Sequence, residues 1–373
     1  MLRSVIAAAV LVMGHAAAPC AAAAFPATAI VIQDQTWLRA APRDSAQSQA
    51  VLWQGEAVEV RGERMDYLQI YDYKRERGGF VHASQVRRTM LTAAEAPELL
   101  SVVRFVRDTP GAEALGIGFV AAYIQAAPAG AMNGDAGLEA LDALGTLADR
   151  LARRASSAAA QSKPAQARLS AHLEVAGRYG IKFASYERDG RMQVCYDGDA
   201  FRRVLAMRSK PEQRARAALG LTRQECVNPD LGPLERKRTD EWRADVLDHV
   251  DASTLPGYLK NRVLMGRASV WASLAYQRAR ITEAADGAAR DVETTEAGTT
   301  RGGAAGVAAN RALAELAGID KTELTDEDAP TYAEAAMRVS ASRWAAVPAA
   351  AVAAIKRPTI VTAAGQPGET CIS

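Results

Sequence analysis

The sequence predicts an α+β chain of more than one domain: a small all-β barrel, then a mainly α-helical domain that carries a short β-hairpin. Three observations predict it. Between Thr28 and Arg88, apolar residues alternate at period 2 in strand-length runs broken by Gly55, Gly62, Gly78 and Gly79. From Thr92 onward the apolar period lengthens to about 3.6, the helical repeat. Within that helical stretch, Arg188-Asp189-Gly190-Arg191 places Asp-Gly between two β-rich runs, a strong hairpin signal. A length of 373 residues fits about two or three domains.

The chain opens on a short cationic end, Met1-Leu2-Arg3, followed by the uncharged apolar run Val5 to Met13 and the small-residue tract Ala16 to Ala24. That order is the pattern of a cleavable signal peptide over residues 1–24, with Phe25 as the mature start. The apolar run is well short of the roughly 20 residues that span a bilayer. Cys20 follows Ala18-Pro19, and a proline there departs from the small-residue pattern of a lipid-attachment site. A periplasmic or secreted protein is expected. Later in the chain, Ala345 to Ile355 is apolar but short and interrupted by Pro348, so no transmembrane anchor is expected. Lys and Arg total 45 against 43 Asp and Glu, which leaves no excess for a polyanion, and nucleic acid is not an expected partner.

Residues 25–90 contain the pieces AIVIQ, TWLRAAP, AVLWQGEAVEVRGE, YLQIYDY and GGFVHASQVRR, about five short strands. So few residues cannot form a two-layer sandwich, but they fit a small bent barrel. Four stretches in order resemble bacterial SH3 domains: Leu38-Arg39-Ala40-Ala41-Pro42, Gln54 to Val60, Asp66 to Ile70, and Gly79 to Ser84. Tyr67 and Phe80 stand where tryptophan is commoner in that family. The resemblance covers about one sixth of the chain. It implies an SH3-like module that contacts peptidoglycan or peptides, as relatives in envelope and cell-wall proteins do. Trp37, Trp53, Tyr71, Tyr73 and His82 are the candidate binding residues, because aromatics give flat contact area at low entropic cost. Barrel packing is the competing role for each aromatic. The run Lys74-Arg75-Glu76-Arg77 reads as a solvated hairpin tip.

Residues 91–345 read as the helical domain and 346–373 as a C-terminal tail. Thr92-Ala93-Ala94-Glu95 has the form of a capping box. Leu99, Val103 and Val106 form one apolar stripe, and Leu138, Leu141, Leu144, Leu147 and Leu151 form another. Trp242, Val246, Leu247 and Val250 repeat the pattern, as do Leu259, Val263, Leu264, Val270, Trp271 and Leu274. These are helix-bundle faces. The hairpin is expected near 181–196 and a flexible Gly/Thr-rich loop near 286–306, with helix again from Ala304 and a last one opened by Thr325.

After signal cleavage three cysteines remain. Cys195 and Cys226 bracket one compact segment and are the expected disulfide in an oxidising compartment; competing pairings would use Cys371 in the tail. A metal site fails on spacing: there is no C-x-x-C, and His82, His172 and His249 are scattered singly. No G-x-S-x-G, H-E-x-x-H, Walker loop or strand-borne G-x-G-x-x-G occurs, and Leu115-Gly116-Ile117-Gly118 reads as helix packing. No catalytic residue, metal or cofactor is therefore assigned. The favoured reading is a non-enzymatic exported envelope protein, with peptidoglycan or an envelope protein as partner and a structural or partner-binding helical domain. The alternative is a peptidoglycan hydrolase, or a hydrolase accessory, with the helical domain catalytic.

Overall fold

A computed structural model describes residues 27–157, 162–188, 190–289 and 298–345. The expected signal segment with Cys20 and the Ala24 cleavage point, and the tail with Cys371, lie outside the described residues.

Seven strands come first: β1 (Ala27–Val31), β2 (Thr36–Arg39), β3 (Ser48–Leu52), β4 (Ala57–Arg64), β5 (Tyr67–Asp72), β6 (Arg77–His82) and β7 (Val86–Thr89). They form one antiparallel sheet in the order β3-β2-β6-β5-β4-β1-β7. The period-2 pattern sends Leu38, Leu52, Val58, Ile70, Val81 and Val86 inward, where they meet Ala29 and Val31 in a core drawn from all seven strands. Gly62 stands where β4 slips register against β5, and left-handed residues Gln35, Met65 and Glu76 turn the chain between strands. Two features differ from expectation. Among the described residues there are seven strands rather than about five, and the sheet is open instead of closing into a barrel. β7 joins β1 while β3 pairs only with β2, so these two strands remain as edges.

Among the described residues ten α-helices and a hairpin follow: α1 (Ala96–Arg107), α2 (Glu113–Ala126), α3 (Asp135–Ser156), α4 (Lys163–Arg178), β8 (Phe183–Arg188), β9 (Arg191–Tyr196), α5 (Asp199–Ala206), α6 (Pro211–Leu221), α7 (Pro233–Asp248), α8 (Gly257–Ala289), α9 (Gly298–Ala317) and α10 (Ala329–Ala345). Their apolar stripes build two layers. Leu99 and Val103 of α1, Ile117 and Val120 of α2, Leu147 and Leu151 of α3, and Leu169 of α4 make the first. Leu247 of α7 with Leu259, Val263, Val270 and Leu274 of α8 make the second. Phe201 of α5 joins them, lying so close to Gly145 of α3 and Gly220 of α6 that a Cβ at either would sit within 2.5 Å of its ring. Trp242 departs from its predicted stripe and is exposed, because the face of α7 that packs on α8 runs through Ala244 and Leu247 and is continued by Val250 just past the helix end.

The hairpin forms as the Asp-Gly signal predicts, with Arg188 paired to Arg191 across the turn. Cys195 and Cys226 form a disulfide with a Cα–Cα distance of 5.7 Å. It ties β9 to the chain that leads into α7, where Arg188 also donates to the carbonyls of Gln224 and Val227. The capping box takes another form: Glu95 reaches back to Thr89 and the Met90 N–H at 2.8 Å each, tethering the last strand to α1. Helix covers Asp286–Ala289 and Gly298–Gly306 of the segment expected as a loop, and residues 290–297 lie outside the described residues. Among the described residues no helix is long and apolar enough to cross a membrane.

Candidate functional site

The five residues singled out by the sequence fall in three places. Trp37 and His82 share a shallow pocket of about 240 Å³ with Gln33, Arg39, Asp44, Ser84 and Gln85. Trp37 is exposed because it sits on the outward face of β2, alternating with Thr36 and Leu38, which are buried. His82 ends β6, and its Nδ1 accepts from the Ser84 backbone N–H (3.3 Å) and lies 2.7 Å from Ser84 Oγ. That assigns the proton of the neutral ring to Nε2, leaving a donor for a ligand. Tyr67 packs edge-on to the His82 ring, 5.3 Å between centroids, and donates to Asp44 Oδ1 at 2.7 Å. That hydrogen bond raises the Tyr67 hydroxyl above the usual tyrosine range. Arg39 pins the loop carrying Asp44 through the Asp44 and Ala46 carbonyls. The pocket thus offers a flat indole, an imidazole, a carboxylate and two amides.

Tyr71 and Tyr73 form a second, self-contained cluster across β4 and β5. Their rings meet edge to face at 5.0 Å, Arg61 lies 3.8 Å above Tyr71, and Tyr73 donates to Glu59 at 2.6 Å. The Tyr73 and Arg61 hydrogen bonds hold the Glu59 carboxyl below the usual range. The polar groups of this cluster bind one another.

Trp53 belongs to neither. It faces His172 of α4 edge-on at 6.4 Å, in a seam where the sheet docks on the helices. His172 is fully buried and its Nε2 meets Asp34 Oδ1 at 2.8 Å, while Gln54 reaches Asp34, the Gly111 carbonyl and the same imidazole. Burial alone would push the Asp34 carboxyl up, but the His172 contact, the Gln54 N–H and nearby Arg168 together hold it below the usual range. Glu56, 1% exposed, accepts from Arg75 and from Arg178 of α4. Tyr179 donates to the Gly55 carbonyl at 2.5 Å, and burial pushes its hydroxyl up to about 12, so it remains a donor. Gly55 (φ +88°) and Gly118 of α2 touch backbone to backbone, and a Cβ on Gly118 would lie 2.6 Å from the Gly55 oxygen. The Gly116–Gly118 doublet is therefore a packing device, while the rest of the seam went unnoticed in the sequence.

Among the described residues no group of His, Cys, Asp or Glu is placed to hold a metal ion. Comparison with protein-family models, with curated proteins and with solved structures gives no match to this chain.

Proposed function

We propose that this chain is an exported, non-enzymatic protein of the bacterial envelope, whose SH3-like N-terminal sheet grips peptidoglycan or an extended peptide at the Trp37–His82 pocket. The observation that carries the reading is Trp37: an indole 45% exposed beside a histidine, a carboxylate and two glutamines in one concavity. An exposed indole flanked by hydrogen-bonding groups suits a sugar face or a peptide backbone. The Cys195–Cys226 bridge supports an oxidising compartment. The helical domain serves as the rigid support of the sheet and as a partner-binding or structural body.

The test is retention of the purified full chain on insoluble peptidoglycan, comparing it with Trp37→Ala and His82→Ala. Point variants are preferable to deletion of the sheet, because Ile30 of β1 belongs to the helical core and would leave with it. Retention should fall at least several-fold in Trp37→Ala with the unfolding midpoint unchanged. Equal retention of all three proteins would remove the pocket from the reading, and a clearing band from pure protein in a peptidoglycan zymogram would overturn the non-enzymatic assignment.

A further inference from the structure

A second hollow lies far from the Trp37 pocket in sequence and in element. It runs between α1 and the connection from α2 to α3, with a volume of about 400 Å³. Its walls are Ala96, Pro97 and Leu100 on one side and Ala127, Pro128 and Ala131 on the other. Helix contacts normally fill such space with interlocking side chains. Here alanine and proline stand on both sides, so the walls cannot reach each other.

The polar groups of the hollow are nearly all spent. Ser101 Oγ donates to the Pro97 carbonyl at 3.0 Å. Arg104 is closed by Glu139 through two hydrogen bonds of 2.6 and 2.7 Å, which cancels the charge at the rim. Tyr123 is the exception. It lines the hollow, is 2% exposed, and among the described residues no protein group hydrogen-bonds its hydroxyl. Burial and the Glu139 charge raise this phenol above the usual range, so it is a neutral donor at physiological pH. The side chain is packed but its hydroxyl keeps contact with solvent, so the hollow is an apolar concavity with one donor left unpaired by the protein, the make-up of a small-molecule site.

We infer that this groove binds a small, uncharged, apolar molecule carrying one hydrogen-bond acceptor, with the Tyr123 hydroxyl as the donor that orients it. A ketone, ester or amide on an aromatic or short aliphatic body has this chemistry. An anion or a cation is disfavoured, since each would have to break the Arg104–Glu139 pair to find a counter-charge. The volume lies within the range of about 300–1,000 Å³ common for small-molecule sites.

The probe is PRODAN, a neutral naphthyl ketone whose emission reports both the polarity around it and hydrogen bonding to its carbonyl. It is titrated with the full chain, the Tyr123→Phe variant, and two groove-filling variants, Ala131→Leu and Ser101→Phe. The expected result is a saturable blue shift with the wild-type chain. Its Kd should rise about 3- to 10-fold in Tyr123→Phe, the span of one net hydrogen bond. The shift should be lost in whichever groove-filling variant retains the wild-type circular dichroism melt; Ser101 lies on the exposed rim and tolerates replacement most readily. A shift that does not saturate, or a Kd unchanged in Tyr123→Phe and in a folded groove-filling variant, overturns the assignment. So does a wild-type dimer in sedimentation velocity that Ala131→Leu dissociates, since a second copy would then be the occupant.

Discussion

Replacing Gly118 by alanine should separate helix propensity from the needs of the seam. In a free helix the change stabilises by about 1 kcal/mol, because alanine restricts the unfolded chain and glycine does not. In α2 the new Cβ would lie 2.6 Å from the Gly55 oxygen and 3.0 Å from its Cα. Neither atom can yield. The Gly55 N–H is bound to the Val31 carbonyl at 2.8 Å and its own carbonyl is held by Tyr179. Overpacking of this kind costs about 1–3 kcal/mol. If the sheet retreats instead, part of the burial of Ile30 is lost, a side chain worth about 1.5–3 kcal/mol when fully buried. The net expectation is a loss of about 1–3 kcal/mol, read as a lower urea midpoint by circular dichroism and by tryptophan fluorescence. Gly306→Ala in α9 is the comparison: nothing lies within 4 Å of its Cβ position, so the same substitution should stabilise by up to about 1 kcal/mol. If Gly118→Ala gains stability as Gly306→Ala does, the close backbone contact is not a constraint and the reasoning fails.

Three further outcomes follow from the same contacts. Glu56→Gln neutralises a buried acceptor shared by Arg75 and Arg178; both guanidiniums are about one quarter exposed, so the cost should be about 2 kcal/mol in the urea midpoint, below the usual penalty for breaking a fully buried pair. A Cys195→Ser, Cys226→Ser double variant should lose about 3–4 kcal/mol, the entropy of closing a loop with a sequence separation of 31, and reducing the wild-type chain should reproduce the shift. Asp34 has its folded-state pKa depressed, so its stabilising contribution is present above its unfolded value near 3.9 and is lost as pH falls through the folded value. The stability gap between wild type and Asp34→Asn should therefore be constant from pH 7 down to about 5 and narrow below about 4; a gap that widens on acidification contradicts the sign.

The elements themselves were written locally. Alternation at Val58, Val60, Leu68 and Ile70, the Asp-Gly turn and the leucine stripe of α3 are short-range patterns, and each yields the element it predicts. The Cys195–Cys226 pair was readable because both cysteines flank one compact segment. What escaped was long-range. His172 meets Asp34 across 138 residues and Gln54 meets the Gly111 carbonyl across 57, and no periodicity links such positions. The same limit explains Trp242, whose spacing fits a stripe although the neighbouring α8 packs on another face of α7. It also explains the open sheet, since strand pairing beyond hairpins depends on which edge the last strand finds. In the candidate site, the aromatic composition pointed to Trp37 and His82. It could not divide them from Trp53, Tyr71 and Tyr73, which are chemically similar and differently placed.

Ile30 has a consequence for the order in which the chain acquires its partners. Of the described strands β1 is the first to leave the ribosome, yet it pairs with β4 and β7 and inserts Ile30 among side chains of the first helical layer. Its mates arrive later. Until β4 and β7 have emerged the strand has unsatisfied edges, and until α1 to α4 have emerged it has an uncovered isoleucine, the features that chaperones recognise and aggregation exploits. The covering of Ile30 is thereby deferred to the helices behind the sheet, and these contacts of high sequence separation should form later than the strand pairings.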